Sequence, residues 1–289
     1  MRKGSLVAAA AAALLMLVPA ADAWPIGAGG GHQLAAYRGS GSWVSIYDTA
    51  AWRNPERVIA QLSAHNVHTL YLETSNDRQR VDVVHPETVG RFLDLAHAAG
   101  IDVVGWYLPS LATPKRDVRR ALSGIRFTSK SGARFDAFAL DIEATTIRSI
   151  AKRTQHATAI AAAIRREAPA RYPLGAITID PAGARYWPGY PFRQLARSVD
   201  VFLPMAYFTA RTSGVVNVRT YTRRNVELIR TLVGDSDFPV HTIGGDTHDA
   251  PLREVRAFLA ESSVCDSLGA SLWEYGRMSP AQWRALSVA

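Results

Sequence analysis

Short apolar runs alternate with longer amphipathic segments over most of the chain. The runs are rich in Val, Ile, Leu and Phe and are typical of buried strands, whereas the segments between them space apolar residues as amphipathic helices do. The strand-like runs span residues 43–48, 69–75, 102–109, 135–144, 174–180, 201–208, 240–246 and 269–275. The helix-like segments span 55–64, 87–99, 117–125, 147–167, 192–198, 218–232, 252–262 and 280–286. This alternation predicts an α/β fold with a parallel sheet.

Eight strand–helix repeats predict a closed (β/α)8 barrel, the TIM-barrel architecture. The length agrees, because residues 43–289 supply the roughly 250 residues that such a barrel needs. The alternative is an open, doubly wound sheet, which usually carries a glycine-rich phosphate-binding turn after its first strand. The sequence has Asp48-Thr49-Ala50-Ala51 at that position, so the closed barrel is favoured.

The amino-terminal segment has the composition of a secretory signal. Arg2 and Lys3 precede an apolar run over residues 6–18, and a small-residue cleavage site follows at 21–23. The run is shorter than the roughly 20 residues that a membrane-spanning helix needs. We therefore expect a secreted protein, extracellular or periplasmic, with no membrane contact after cleavage. Its expected parts are a signal peptide (1–23), a flexible glycine-containing arm (24–42) and a single catalytic barrel domain (43–289).

Composition and charge argue against a nucleic acid partner and an internal disulfide. Lys and Arg number 33 against 25 Asp and Glu, which gives a formal net charge of +8. The basic residues form no long run and no stripe interleaved with aromatic residues, so no nucleic acid partner is expected. The single cysteine, Cys265, cannot form an internal disulfide. We expect a monomer that uses neither a cofactor nor a metal ion.

Acidic side chains gather at the predicted strand ends. In (β/α)8 barrels the active site lies at the carboxyl ends of the strands. One aspartate at such a position commonly caps the following helix, but a whole set of carboxylates in a basic chain favours a functional explanation. The acidic residues at or near strand ends are Asp48, Glu73, Asp141, Glu143, Asp180, Asp246 and Glu274, and Tyr107 and Tyr207 lie near the ends of the third and sixth strands.

The fourth strand carries the most specific pattern. Strand alternation places Ala139, Asp141 and Glu143 on the face that lines the barrel interior, and large apolar residues on the face toward the helices. Carboxylates two positions apart lie roughly 7 Å apart at Cα and repel each other, which raises the pKa of one of them. We predict that Glu143, the outer one, reaches a substrate oxygen and that Asp141 accepts hydrogen bonds.

Residues 136–143 read D-x-x-A-x-D-x-E and resemble the D-x-x-D-x-D-x-E signature on strand four of glycoside hydrolase family 18 chitinases. Residues 205–207, M-A-Y, are similar to that family's M-x-Y on strand six. Trp273 stands on strand eight, where the family has a tryptophan beneath the sugar. The sequence departs from the signature at Ala139, which replaces the middle aspartate.

The secreted lysozymes of glycoside hydrolase family 25 fit part of the pattern about as well. That family has an acidic residue at the end of strand one, D-x-E on strand four and W-x-Y on strand eight, which Asp48, residues 141–143 and residues 273–275 resemble. Both resemblances imply a barrel that hydrolyses O-glycosidic bonds of a polysaccharide or oligosaccharide. The implied substrate is N-acetylated, of chitin or peptidoglycan type.

The resemblances also imply roles for individual residues. Glu143 would protonate the glycosidic oxygen and later activate water, while Asp141 would orient the 2-acetamido group of the substrate as it attacks the anomeric carbon. Tyr207 would hydrogen-bond the same group, and Trp273 would form the floor of the pocket. The other residues expected to bind substrate are Asp48, Glu73, Tyr107, Asp180, Met205, Asp246 and Glu274.

Three alternatives stay open at this point. A non-catalytic carbohydrate-binding barrel would account for the missing middle aspartate. A substrate without an acetamido group would need a nucleophile from another strand, for which Asp246 and Glu274 are candidates. A metal-dependent hydrolase would draw on His241, His248, Asp246 and Asp249, but the sequence has neither H-x-H at the end of the first strand nor H-E-x-x-H.

Overall fold

The computed structural model describes residues 34–248 and 250–287 and shows a closed barrel of eight parallel strands in sequence order. The predicted (β/α)8 architecture and single domain are confirmed. The expected signal peptide, at 1–23, and the part of the arm before residue 34 lie outside the described residues. The strands are β1 (Gly39–Val44), β2 (Thr69–Asn76), β3 (Asp102–Leu108), β4 (Ala137–Asp141), β5 (Leu174–Thr178), β6 (Val201–Ala206), β7 (His241–Gly244) and β8 (Gly269–Leu272).

Helices follow the strands and cover the outside of the barrel. Helix α2 (Pro55–Ala64) has the predicted bounds, because Asn54 caps its first turn and a proline occupies its first position. A short helix that was not predicted, α1 (Thr49–Arg53), precedes it. The other helices are α3 (Pro86–Ala98), α4 (Pro114–Ile125), α5 (Ile150–Glu167), α6 (Phe192–Leu195), α7 (Val215–Val233), α8 (Leu252–Val264) and α9 (Pro280–Leu286). Within the described ranges, no helix has the length and apolar character needed to cross a membrane.

The barrel begins earlier than the sequence indicated. Residues 39–42, which the pattern placed in a flexible arm, form the first part of β1 and pair with both β2 and β8. They are small because side chains of neighbouring strands fill this part of the interior. A Cβ atom on Gly41 would lie only 2.5 Å from Cε2 of Tyr71. Small residues leave no apolar alternation, so the strand was not recognised.

Most strands also end earlier than predicted. β4 stops at Asp141, so Glu143 lies in the turn beyond the strand. Tyr207 and Glu274 likewise lie beyond the ends of β6 and β8. The polar residues that close each run belong to the loops at the mouth of the barrel, which is where functional side chains of such barrels lie.

A buried histidine lies near the amino-terminal ends of the strands. His241, the first residue of β7, is fully buried, and its Nδ1 atom lies 2.9 Å from the carbonyl oxygen of Tyr37. The hydroxyl of Tyr71 lies 3.3 Å from its Nε2 atom. Burial lowers the pKa of His241 to about 4, because the interior disfavours the charged imidazolium.

Acidification should therefore destabilise the fold through His241. The unfolded chain takes up this proton near pH 6.5 and the folded protein only near pH 4, so the contribution to stability is present above pH 6.5 and is lost as the pH falls toward 4. The loss in the free energy of unfolding is about 3 kcal/mol at pH 4. We expect the stability difference between wild type and His241→Gln, measured by urea unfolding, to shrink by that amount between pH 7 and pH 4. Parallel pH profiles for the two proteins would contradict this expectation.

Candidate active site

A cavity of about 190 Å³ lies at the carboxyl ends of the strands. Each strand other than β2 contributes to the lining, either with a residue of the strand itself or with a residue of the loop that follows the strand. Apolar and aromatic walls with a few convergent polar groups are the usual composition of a ligand site. The lining residues are Trp43, Trp106, Asp141, Glu143, Ile177, Met205, Tyr207, Ile243 and Trp273.

The cavity brings together five of the residues singled out from the sequence. They are Asp141, Glu143, Met205, Tyr207 and Trp273. Burial raises the pKa of the Tyr207 hydroxyl, and the neighbouring carboxylates raise it further, so this hydroxyl keeps its proton and can donate a hydrogen bond.

Three tryptophan rings form one wall of the cavity. The ring centroids of Trp43, Trp106 and Trp273 lie 5.9 to 6.1 Å from one another. Trp43 also stacks on Tyr71 at 4.1 Å, and its Nε1 atom donates to Oγ of Ser271 at 2.8 Å. These contacts hold together rings that come from β1, β3 and the segment just after β8, so the wall is formed before a ligand arrives.

Two carboxyl groups line the cavity. Asp141 is 7% exposed, and burial raises its pKa well above the ordinary value, with further contributions from the charges of Glu143 and Glu73. Burial also raises the pKa of Glu143. A carboxyl group that holds its proton toward neutral pH is what general acid catalysis requires.

The neighbouring strand β3 accounts for the small residue at position 139. Ala139 of β4 lies beside Trp106 of β3, and Asp141 lies two positions further along the same face. Ala139 and Trp106 belong to one buried cluster inside the barrel. The methyl group at 139 therefore leaves space for the indole of Trp106, whereas a longer side chain would occupy part of that space.

Glu73 is also a buried carboxyl group, but it does not line the cavity. Its Oε2 atom accepts from the backbone N–H of Ile46 at 2.8 Å, and its Oε1 atom accepts from Nδ2 of Asn76 at 3.1 Å. Burial raises the pKa of Glu73 to about 7, although these hydrogen bonds oppose the shift. Glu73 thus fastens the loop after β1, and its charge acts on Asp141.

Asp180 and Asp48 have partners within the fold. Arg211 donates two hydrogen bonds to Asp180, at 2.8 and 3.0 Å, and the Tyr221 hydroxyl donates a third at 2.6 Å. Asp48 accepts from the backbone N–H of Ala51 at 3.0 Å and so caps α1. Neither residue is among those that line the cavity, and their substrate contacts stay predictions.

Asp246 and Glu274 share one cation on the loops after β7 and β8. Nη1 of Arg277 lies 3.2 Å from a carboxylate oxygen of Asp246, and Nε of the same side chain lies 3.4 Å from Glu274. Burial raises the pKa of Glu274. The structure does not place either carboxylate in the cavity lining with Glu143.

Tyr107 points away from the cavity. Its hydroxyl donates to Asp117 of α4 at 2.7 Å, and its ring packs in the core between strands and helices. Its neighbour Trp106 lines the cavity instead, as does Trp43, and neither tryptophan was singled out from the sequence. Strand alternation is the signal that finds Trp106, because it shares the inward face with Val104.

The candidate metal ligands are dispersed. His241 contacts Tyr37 inside the barrel, whereas Asp246 pairs with Arg277 in a loop, and Asp249 lies outside the described residues. Over residues 34–248 and 250–287, no group of three or more His, Cys, Asp or Glu side chains is arranged to hold a metal ion.

No protein-family model matches the chain, and no curated protein matches it either. An endo-1,4-β-mannanase from Rhizomucor miehei is 10% identical with a TM-score of 0.64, over 82% of this chain and 86% of that one. A glycoside hydrolase family 18 N-acetylglucosaminidase from Paenibacillus barengoltzii is 10% identical with a TM-score of 0.62, over 87% and 99% of the two chains. A chitinase from Bacteroides thetaiotaomicron is 11% identical with a TM-score of 0.62, over 87% and 94%. The chain thus shares its (β/α)8 barrel fold with these three enzymes.

Proposed function

We propose that the protein is a secreted glycoside hydrolase that cleaves O-glycosidic bonds of an N-acetylated polysaccharide. The observation that carries this proposal is the cavity, which combines two carboxyl groups of raised pKa, Asp141 and Glu143, with a wall of three indole rings. A protonated carboxyl group supplies the acid of glycoside hydrolysis, and flat apolar rings suit the faces of sugars. The shared fold of a mannanase, an N-acetylglucosaminidase and a chitinase supports the same class.

Glu143 is the general acid and base in this proposal. Its neutral carboxyl group donates a proton to the glycosidic oxygen as the bond to the anomeric carbon breaks. The carboxylate that remains then removes a proton from the attacking water. Burial, which raises the pKa of Glu143, keeps the acid form available for the first step.

Asp141 and Tyr207 hold the nucleophile, which is the acetamido oxygen of the substrate itself. Oδ1 of Asp141 is buried and has no hydrogen-bond partner in the described part of the chain, so it can accept from the acetamido N–H. The Tyr207 hydroxyl borders the same cavity and donates to the acetamido carbonyl. Trp273 lies against the sugar ring. A substrate-assisted reaction needs no second carboxylate as nucleophile.

Reducing-end release from a panel of oligosaccharides tests the proposal. The panel comprises N-acetylglucosamine oligomers, peptidoglycan fragments and mannose and glucose oligomers of equal length. Release from the N-acetylated members alone is the expected result. Release from mannose oligomers alone would retain the glycosidase and overturn the role of the acetamido group, and no release from any member would overturn the enzyme.

A non-catalytic carbohydrate-binding barrel is the second candidate. The observation that favours it is Ala139, which stands where the family 18 signature has an aspartate. Such a protein would bind the same oligomers without turnover, and Glu143→Gln would leave that binding unchanged. Calorimetry with an N-acetylglucosamine tetramer, run beside the reducing-end assay, separates the two candidates.

The proposal includes export and a monomeric state. Export rests on the amino-terminal sequence, with cleavage before Trp24. The monomeric state is the expectation from the sequence. Amino-terminal sequencing of the secreted protein and its elution volume on a calibrated column test the two points.

A further inference from the structure

Two residues that line the cavity each have a buried polar atom without a partner among the described residues, and the two atoms have complementary hydrogen-bonding character. They are Nε1 of Trp106, which can only donate, and Oδ1 of Asp141. Their residues are 4% and 7% exposed. Buried polar atoms of folded proteins are almost always hydrogen-bonded, so two exceptions in one cavity need an explanation.

The two residues lie on adjacent strands. Trp106 of β3 pairs in register with Ala139 of β4, and Asp141 follows on the same inward face. Both residues line the same cavity. A group bound in the cavity would therefore lie beside both residues.

The indole N–H of a second tryptophan in the same wall does have a hydrogen-bond partner within the fold. Nε1 of Trp43 donates to Oγ of Ser271 at 2.8 Å, so the fold itself uses that donor. The donor of Trp106 has no such acceptor in the part of the chain that the structure describes. Its availability is therefore a property of this position and not of the aromatic wall as a whole.

We propose that Trp106 is a specificity-determining residue, whose indole N–H donates to the carbonyl oxygen of the substrate's acetamido group while Asp141 accepts from the N–H of that group. This inference rests on the proposed function. A secondary amide offers an acceptor and a donor on neighbouring atoms, whereas the 2-hydroxyl of glucose or mannose presents one oxygen. The carbonyl oxygen has two lone pairs, so in the bound ground state it can accept from Trp106 and from Tyr207. As the oxygen attacks the anomeric carbon, one lone pair forms the new bond, and one of the two hydrogen bonds is released.

The proposed role of Trp106 explains why the residue at position 139 is small. The small side chain of Ala139 leaves space for the indole of Trp106 beside Asp141. In this protein Trp106 orients the bound acetamido group, and the middle aspartate of the family 18 signature is absent because Ala139 stands at its position. Ala139 then marks a different way of holding the substrate and not a loss of function.

Binding to the Glu143→Gln protein, which should not turn substrate over, tests the role of Trp106. Calorimetry compares tetramers of β-1,4-linked N-acetylglucosamine and β-1,4-linked glucose. We expect Trp106→Phe, which keeps an aromatic ring and deletes the N–H, to lower the preference for the N-acetylated tetramer about tenfold, as loss of one hydrogen bond would. Trp43→Phe is the matched control, and it should weaken both ligands alike and leave the preference unchanged.

The outcomes separate this inference from the proposed function. A preference in the Glu143→Gln protein that survives Trp106→Phe overturns the role of Trp106 alone. No preference in the Glu143→Gln protein overturns both. Where Trp106→Phe does not fold, the indole ¹H–¹⁵N resonance of Trp106 in the Glu143→Gln protein decides. It should move downfield with the N-acetylated tetramer and not with the glucose tetramer, and no such shift overturns the inference.

Discussion

Glu143→Gln should lower kcat for an N-acetylated oligosaccharide by about 10²–10⁴-fold, the range that general acid–base catalysis contributes. The amide has nearly the shape of the carboxyl group but cannot transfer the proton to the glycosidic oxygen, so affinity should change little. The wild-type rate should also fall as the pH rises through the raised pKa of Glu143, because only the protonated form starts the reaction. Initial rates of reducing-end release across pH, with binding measured by calorimetry, check both points.

The leaving group provides a sharper test of the same role. An aryl glycoside with a good leaving group needs little protonation, so Glu143→Gln should slow its cleavage much less than that of the natural linkage. Glu87→Gln is the matched control, since this carboxylate lies in the first turn of α3 and its side chain is 83% exposed. A Glu143→Gln protein as fast as Glu87→Gln on the oligosaccharide would remove Glu143 from the mechanism.

The barrel was predictable because its strands are buried on both faces. Parallel strands of this kind form nearly continuous apolar runs, and helices between them keep their own spacing. β2 and α2 appeared almost at their true bounds. The first half of β1 did not, because its glycines and serines are dictated by neighbours such as Tyr71, which lie far away in sequence.

The partners of the acidic residues could not be predicted from local sequence. Asp180 meets Arg211, which is 31 residues away, and Glu73 meets the backbone of Ile46, which is 27 residues away. Loop conformation decides such pairs, and no periodicity encodes it. The choice between Trp106 and Tyr107 was different, because alternation along β3 already distinguishes an inward residue from an outward one.

Asp141→Asn should stabilise the fold and at the same time remove most of the activity. Burial and the charges of Glu143 and Glu73 raise the pKa of Asp141, so the folded protein binds this proton more tightly than the unfolded chain does. Stabilisation from that proton is complete below the ordinary pKa and is lost as the pH rises through the raised one. Asparagine avoids this loss, and we expect a gain of about 1–2 kcal/mol in the free energy of unfolding at pH 7. The rate should fall by about 10²–10³-fold, because asparagine cannot ionise to balance the positive charge that develops on the acetamido group as its oxygen attacks.

Urea unfolding at several pH values distinguishes this origin of the gain from a change in packing. The stability difference between Asp141→Asn and wild type should grow from pH 5 to pH 8, because over this range the unfolded wild type gives up the Asp141 proton more readily than the folded protein does, and asparagine has no such proton. His241 acts in the opposite direction, because its contribution is lost on acidification, so the two buried groups together limit the pH range of greatest stability from both sides. A gain that is equal at pH 5 and pH 8 would assign the effect to packing. A variant that keeps the wild-type kcat would show that the destabilising carboxyl group at the mouth of the barrel serves some purpose other than the proposed hydrolysis.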